Sequence, residues 1–193
     1  MGGAEQEGIF RIGGDVEEMI MIKLYIDCMQ LENEIDNDFI TLCNQWKTMS
    51  LSKEEMCIDV NTFACLLKQW FRELKEPVIP YNLYSQAINS CESPTNAIFL
   101  IEKKLPPINK LVIGYLIRFL QVFSAKQNVD NTKMDENNIS MVWAPNILRP
   151  SPAAIKNHLS LNPTVVFENT RKEMTFIRTL IQFLDTNYIQ GVI

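Results

Sequence analysis

One histidine, His158, is all that this 193-residue chain carries, and it lies in a polar stretch flanked by prolines. That count excludes histidine-rich metal sites and disfavours a Ser–His or Cys–His nucleophile, which needs its base close by. No G-x-x-x-x-G-K-[ST] loop occurs, so nucleotide is not held on a phosphate-binding loop of that type. The five cysteines, Cys28, Cys43, Cys57, Cys65 and Cys91, include no C-x-x-C pair and are odd in number. Buried, reduced thiols in a cytoplasmic protein are the expected state. No apolar run reaches the ~18 residues of a membrane span. The first residues, Met1-Gly2-Gly3-Ala4-Glu5-Gln6, lack the basic and apolar regions of a secretory leader, and Gln6 stands where a myristoylation signal has Ser or Thr. No membrane insertion is expected.

What the chain does hold is apolar substance, 47% of its residues, with a formal charge of −5. That is enough for one sizeable core, so one domain is expected over residues 7–187, with 1–6 and 188–193 as short termini. The acidic balance argues against nucleic acid or an anionic membrane as partner.

Helical periodicity runs along the sequence. Asp15 reads as the N-cap of a helix through Met19, Ile22, Leu24 and Ile26 to about Gln30. An acidic break from Glu32 to Asp38 leads to a weaker helix through Phe39, Leu42 and Trp46, then a polar loop from Thr48 to Glu55. Asp59 caps a strong helix carrying Phe63, Leu66, Leu67, Trp70, Phe71 and Leu74 on a broad apolar face, stopped by Pro77 and Pro80. Two shorter helices follow, Tyr81 to Ser90 and Ser93 to Lys103, the second with Ser93 as cap and Pro94 at its first position. The segment from Pro107 to Phe123 is apolar on nearly every face, the pattern of a central helix. Asn137 or Asn138 opens a helix ended by Pro145, and Pro150 to Pro163 reads as a loop. The last helix spans about Thr164 to Asn187, with Phe167, Met174, Ile177, Leu180, Ile181 and Leu184 turned inward. No strand alternation of any length is present. The class is all-α.

Four polar side chains stand out. Arg11 sits in Glu7-Gly8-Ile9-Phe10-Arg11-Ile12-Gly13-Gly14, where glycines favour a turn with φ > 0 and Ile9 and Phe10 can bury beneath it. A planar, permanently charged fork on a firm base suits phosphate, although a surface turn with a solvated Arg shares the same local pattern. Lys68 and Arg72, four apart, share one helix face and should both reach solvent. They form either a solvated face near Glu73 and Glu76 or a basic patch for an acidic or phosphate-bearing partner. Asn146, after Ala144-Pro145, is either a local cap or a buried or partner-facing amide.

Gly8-Ile9-Phe10-Arg11 with Gly14 is followed by Leu67-Lys68-x-x-x-Arg72-Glu73-Leu74-x-Glu76-Pro77. Lys104-Leu105-Pro106-x-x-Asn109, Met134-x-x-x-Asn138 and Ala144-Pro145-Asn146 come after them in that order. Together these motifs resemble the Rho GTPase-activating (RhoGAP) domain, from Glu7 to about Asp185. Tyr115 to Phe123 and Val166 to Met174 look most similar to its Vilse, or cross-GAP, branch. The resemblance implies a single helical domain of about eight helices that accelerates GTP hydrolysis by Rho-family small GTPases of the Rac or Cdc42 kind. It implies that Arg11 is the arginine finger, and that Lys68 and Arg72 are the basic pair that supports the finger loop and contacts the GTPase. Asn146 would be a partner-contacting amide, whereas Asn138, Pro77, Pro106 and Pro145 would be architecture. No cofactor of its own is implied, because the GTP-bound partner holds GTP and Mg²⁺. The other class of function is a GTPase-binding module without useful catalysis.

Three departures from the family pattern are visible. A helix normally precedes the finger loop, yet Met1 lies ten residues before Arg11, so that helix is expected to be missing. The segment Glu32 to Trp46 is longer than the usual link, and Lys75 stands in place of a common proline.

Overall fold

A computed structural model describes residues 2–31, 59–158 and 163–187. The expected break, weak helix and polar loop between Glu32 and Glu55 lie outside them. The described residues form nine α-helices and no strand. After a single 3-10 turn at Gly3–Glu5 they run α1 Val16–Leu31, α2 Val60–Glu73, α3 Tyr84–Asn89 and α4 Pro94–Phe99, then α5 Pro107–Ser124, α6 Lys126–Thr132, α7 Glu136–Ile147, α8 Pro152–His158 and α9 Pro163–Phe183.

Helix starts follow local chemistry. The Asp15 carboxylate accepts from the Glu18 amide at 2.9 Å, and Asp59 accepts from the Asn61 amide at 3.1 Å. Each satisfies a donor that has no partner within its own helix. Ser93 caps α4 with Pro94 at its first position. That helix then widens into a π-helical turn over Leu100–Lys104, closed by the Leu105 amide on the Leu100 carbonyl at 3.1 Å.

The core lies where α5, α7 and α9 meet. Ile113, Ile117 and Leu120 of α5, Ile139, Trp143 and Ile147 of α7, and Phe176, Ile177 and Leu180 of α9 are fully buried in one cluster. Gln121 of α5 ties in the end of α9, its amide donating to the carbonyls of Ile181 and Leu184 at 3.0 Å each. These are carbonyls that a helix end leaves unsatisfied. No single helix among the described residues is long and apolar enough to cross a membrane.

Several sequence expectations are corrected. Asp135, not Asn137 or Asn138, opens α7, its carboxylate accepting from the Asn138 amide at 2.8 Å. Pro145 does not end α7, which continues to Ile147. The stretch expected to be a loop between Pro150 and Pro163 contains α8. Phe167 does not turn inward, being 74% exposed at the outer end of α9, and Trp70 on α2 is 54% exposed. On α1, Ile22 reaches the core whereas Ile20, Met21 and Leu24 stay exposed.

Candidate functional site

The loop before α1 is built around two left-handed residues, Gly8 at φ 70° and Phe10 at φ 71°. Gly8 meets the requirement without strain; a side chain there would meet Ile12 Cδ1 at 2.9 Å. Phe10 has no such freedom, and its burial holds it there. Ile9 and Phe10 are each 1% exposed. The Phe10 ring packs edge-on against Phe123, Trp143 and Phe119 at centroid distances of 4.8, 5.4 and 5.7 Å. The Gly8 amide donates to Thr132 at the end of α6 at 2.7 Å, and the amides of Arg11 and Ile12 both donate to the Gly8 carbonyl at 2.9 Å. The loop is thus closed upon itself and riveted into the core by one aromatic ring.

Gly13 and Gly14 were expected to serve the turn through positive φ, but Gly8 is the one described glycine that does. Gly14 is instead a contact position. An added Cβ would lie 2.3 Å from Thr62 Cα and 2.7 Å from Thr62 N, because the chain crosses the first turn of α2 there.

Arg11 is exposed, and its guanidinium has no partner among the described residues. Lys68 is less exposed beside Arg72 than its spacing suggested. It is half-buried, and its ammonium donates to the Phe10 carbonyl, one residue before Arg11. Arg72 is exposed. The acidic neighbours on this face have hydrogen-bond partners other than Arg72. Glu73 pairs with Lys23 at 2.6 Å and accepts from Gln69 at 2.7 Å, and these bonds hold its carboxyl below the ordinary range. Glu76 accepts from the Tyr81 amide at 3.2 Å.

Asn146 is 4% exposed, and its side-chain amide donates to the Val142 carbonyl one turn back at 2.9 Å. Asn138 donates to the Lys133 carbonyl at 3.0 Å, and Asn109 to the Val78 carbonyl at 2.9 Å. Both fix local backbone. Three side chains escaped the sequence reading. Arg149 donates to the carbonyl of Leu74 at 2.6 Å, closing the end of α2. Thr62 accepts from the Asp15 amide at 3.1 Å, and Cys65 accepts from the Gly14 amide at 3.2 Å. Of the cysteines, Cys91 is buried, which pushes its thiol up, whereas Cys65 is only half-buried. Chemically, the arrangement presents a permanently charged fork from a fixed base, with a second exposed cation, Arg72, on the helix that holds that base.

The RhoGAP domain family matches residues 1–152. A GTPase activating protein homolog 2 from Dictyostelium discoideum is 37% identical over 182 residues, 94% of this chain and 17% of that protein. Human Rho GTPase-activating protein 24 is 30% identical over 155 residues, 77% of this chain and 18% of its own length. The chain therefore spans under a fifth of these relatives. In fold it is similar to human Rho GTPase activating protein 15, with a TM-score of 0.69 at 18% identity over 95% of this chain and 76% of that one. It also resembles the BH domain of GRAF, with a TM-score of 0.64 at 20% identity over 98% and 86%.

Proposed function

Because the chain belongs to the RhoGAP domain family, we propose that it accelerates GTP hydrolysis by a Rho-family small GTPase in its GTP-bound state, with Arg11 as the arginine finger. One observation carries this reading: Arg11 is exposed and, among the described residues, unpaired, on a loop whose backbone is tied down immediately before it, by Lys68 on the Phe10 carbonyl and by the Phe10 ring in the core. A finger works by neutralising charge that develops on the transferring phosphoryl group, and it does so best when it needs no rearrangement on arrival. Such a residue is worth about 10³–10⁵ in rate, roughly 4–7 kcal/mol of transition-state stabilisation.

In this reading GTP and Mg²⁺ belong to the partner, and the action is cytoplasmic. Lys68 holds the finger's base, while Arg72 supplies an exposed charge for docking. The partner-contacting role of Asn146 rests on the family resemblance; the residue is 4% exposed and its amide group is committed to Val142, which leaves the side-chain oxygen for that role. A place in the Vilse branch rests on the two sequence stretches, Tyr115 to Phe123 and Val166 to Met174, and a partner of the Rac or Cdc42 kind on the family resemblance.

Single-turnover GTP hydrolysis across a Rho-family panel tests the proposal. Wild type should accelerate at least one member, and Arg11→Ala should remove about two or more orders of magnitude of that acceleration with affinity largely kept. Binding to the GTP form without acceleration would leave a docking module in place of an activator.

A further inference from the structure

Arg11 is bracketed by two carbonyls that α2 holds. Lys68 takes the one before it, on Phe10, and the Cys65 thiol donates to the one after it, on Ile12, at 3.5 Å. The same sulfur accepts from the Gly14 amide at 3.2 Å. One turn further toward the start of α2, the hydroxyl of the fully buried Thr62 accepts from the Asp15 amide at 3.1 Å and donates to Glu18 at 2.9 Å. Thr62, Cys65 and Lys68 are spaced three apart, so they form one ridge of α2. The loop lies along that ridge, with Gly14 against the backbone of Thr62.

Lys68 alone would fix one side of Arg11 and leave the exit free to pivot. The exit is an Ile12-Gly13-Gly14 run, and Gly13 has no described residue within 4 Å of where a side chain would start. Its position is therefore set from the two flanking attachments.

We propose that Cys65 and Thr62 are positioning residues for Arg11: they fix the outgoing limb of the finger loop on α2, as Lys68 fixes the incoming limb. This rests on the proposed GTPase-activating role. Sulfur suits the position because its long bonds and diffuse lone pairs let one atom serve a carbonyl and an amide two residues apart.

Amide hydrogen exchange on this chain, read residue by residue by NMR, tests the attachment without any GTPase. Cys65→Ala should speed exchange at Gly14, and Thr62→Val at Asp15, by about threefold to tenfold, the worth of one net hydrogen bond. Exchange in the α5 and α7 core should not change, and Cys65→Ser, which keeps a donor and an acceptor, should restore most of the protection. In single-turnover assays, Cys65→Ala should lower the rate at saturating concentration by a similar factor, with the half-saturating concentration within about twofold of wild type. Unchanged exchange at Gly14 and Asp15 would overturn the proposal. So would exchange rising equally throughout the chain, or a saturating rate that stays at the wild-type value. A wild type that accelerates no GTPase would sink the activator reading alone, because the exchange measurements decide the attachment by themselves.

Discussion

The ammonium of Lys68 donates to the carbonyl of Phe10, so the charge on α2 is turned toward the loop that carries Arg11 rather than toward solvent. Arg72, one turn along the same helix, remains exposed. Two cations that look equivalent by spacing therefore divide the work between them: one organises the chain's own backbone, and the other is available to a partner.

Substitution should separate the two. Lys68→Met keeps the aliphatic stem but leaves the Phe10 carbonyl without its donor. It should lower the saturating hydrolysis rate about tenfold or more, with a smaller change in affinity, since a charge-assisted bond is worth about 1.5–3 kcal/mol. Arg72→Ala should weaken binding, and the wild-type advantage over it should shrink as salt rises, because an exposed charge acts through a screened field. Titrating each variant at two ionic strengths decides the matter, and equal effects of both on affinity alone would return Lys68 to a docking role.

Gly14 and Gly13 offer a second separation. Alanine at Gly14 would press its Cβ to 2.3 Å from Thr62 Cα and 2.9 Å from the Asn61 carbonyl oxygen. These are backbone atoms in the first turn of a helix and cannot rotate aside. Gly14→Ala should destabilise the fold by about 1–3 kcal/mol, as overpacking does, and should lower GTPase acceleration as the loop lifts from α2. Gly13→Ala, with open space around it, should stay within about 0.5 kcal/mol of wild type. Urea unfolding of the pair measures this, and two variants of equal stability would refute the close approach.

Much of the fold was legible because period and caps are local properties. The α2 and α5 patterns, and the caps at Asp15, Asp59 and Ser93, rest on neighbours a few residues away. The misreadings arise where a distant element decides. Pro145 removes one helical hydrogen bond, yet α7 continues because Asn146, Ile147 and Leu148 beyond it are all buried. Phe167 lies in an apolar run whose face looks buried by period, but sequence does not say how far along α9 its neighbours extend. In Asp135-Glu136-Asn137-Asn138 several side chains could cap, and only the course of the chain selects Asp135. At the site, Arg11 was legible less from its glycine-flanked turn, a pattern that a solvated surface Arg shares, than from the ordered motifs that follow it in the sequence. Cys65 and Arg149 were not, since their partners are backbone amides and carbonyls, which every residue has and which leave no mark in a sequence, and Thr62 joins one such amide to a glutamate 44 residues away.

Away from the loop, α3 and α9 are joined by a buried acidic pair, the Tyr84 hydroxyl donating to Glu173 at 2.5 Å. Burial raises the Glu173 carboxyl above its ordinary value of 4.5, and the bond from Tyr84 only partly opposes that shift. Burial together with the neighbouring carboxylate pushes the Tyr84 phenol up as well. A carboxyl whose folded pKa is raised contributes stability that is complete below its unfolded pKa and is lost as pH rises through the folded value. As pH rises through that raised value, the folded state takes on a buried charge held by the Tyr84 hydroxyl. Glu173→Gln keeps an acceptor for Tyr84 and removes the charge, so it should match or exceed wild-type stability at pH 7.5, with that relative advantage shrinking toward pH 4. Tyr84→Phe removes the donor and should destabilise by about 1–3 kcal/mol at pH 7.5 and less at pH 4. Urea unfolding of the three proteins across that range provides the measurement. A Glu173→Gln deficit that is constant with pH would mean the carboxylate is no burden, and that its ionised form is already well satisfied.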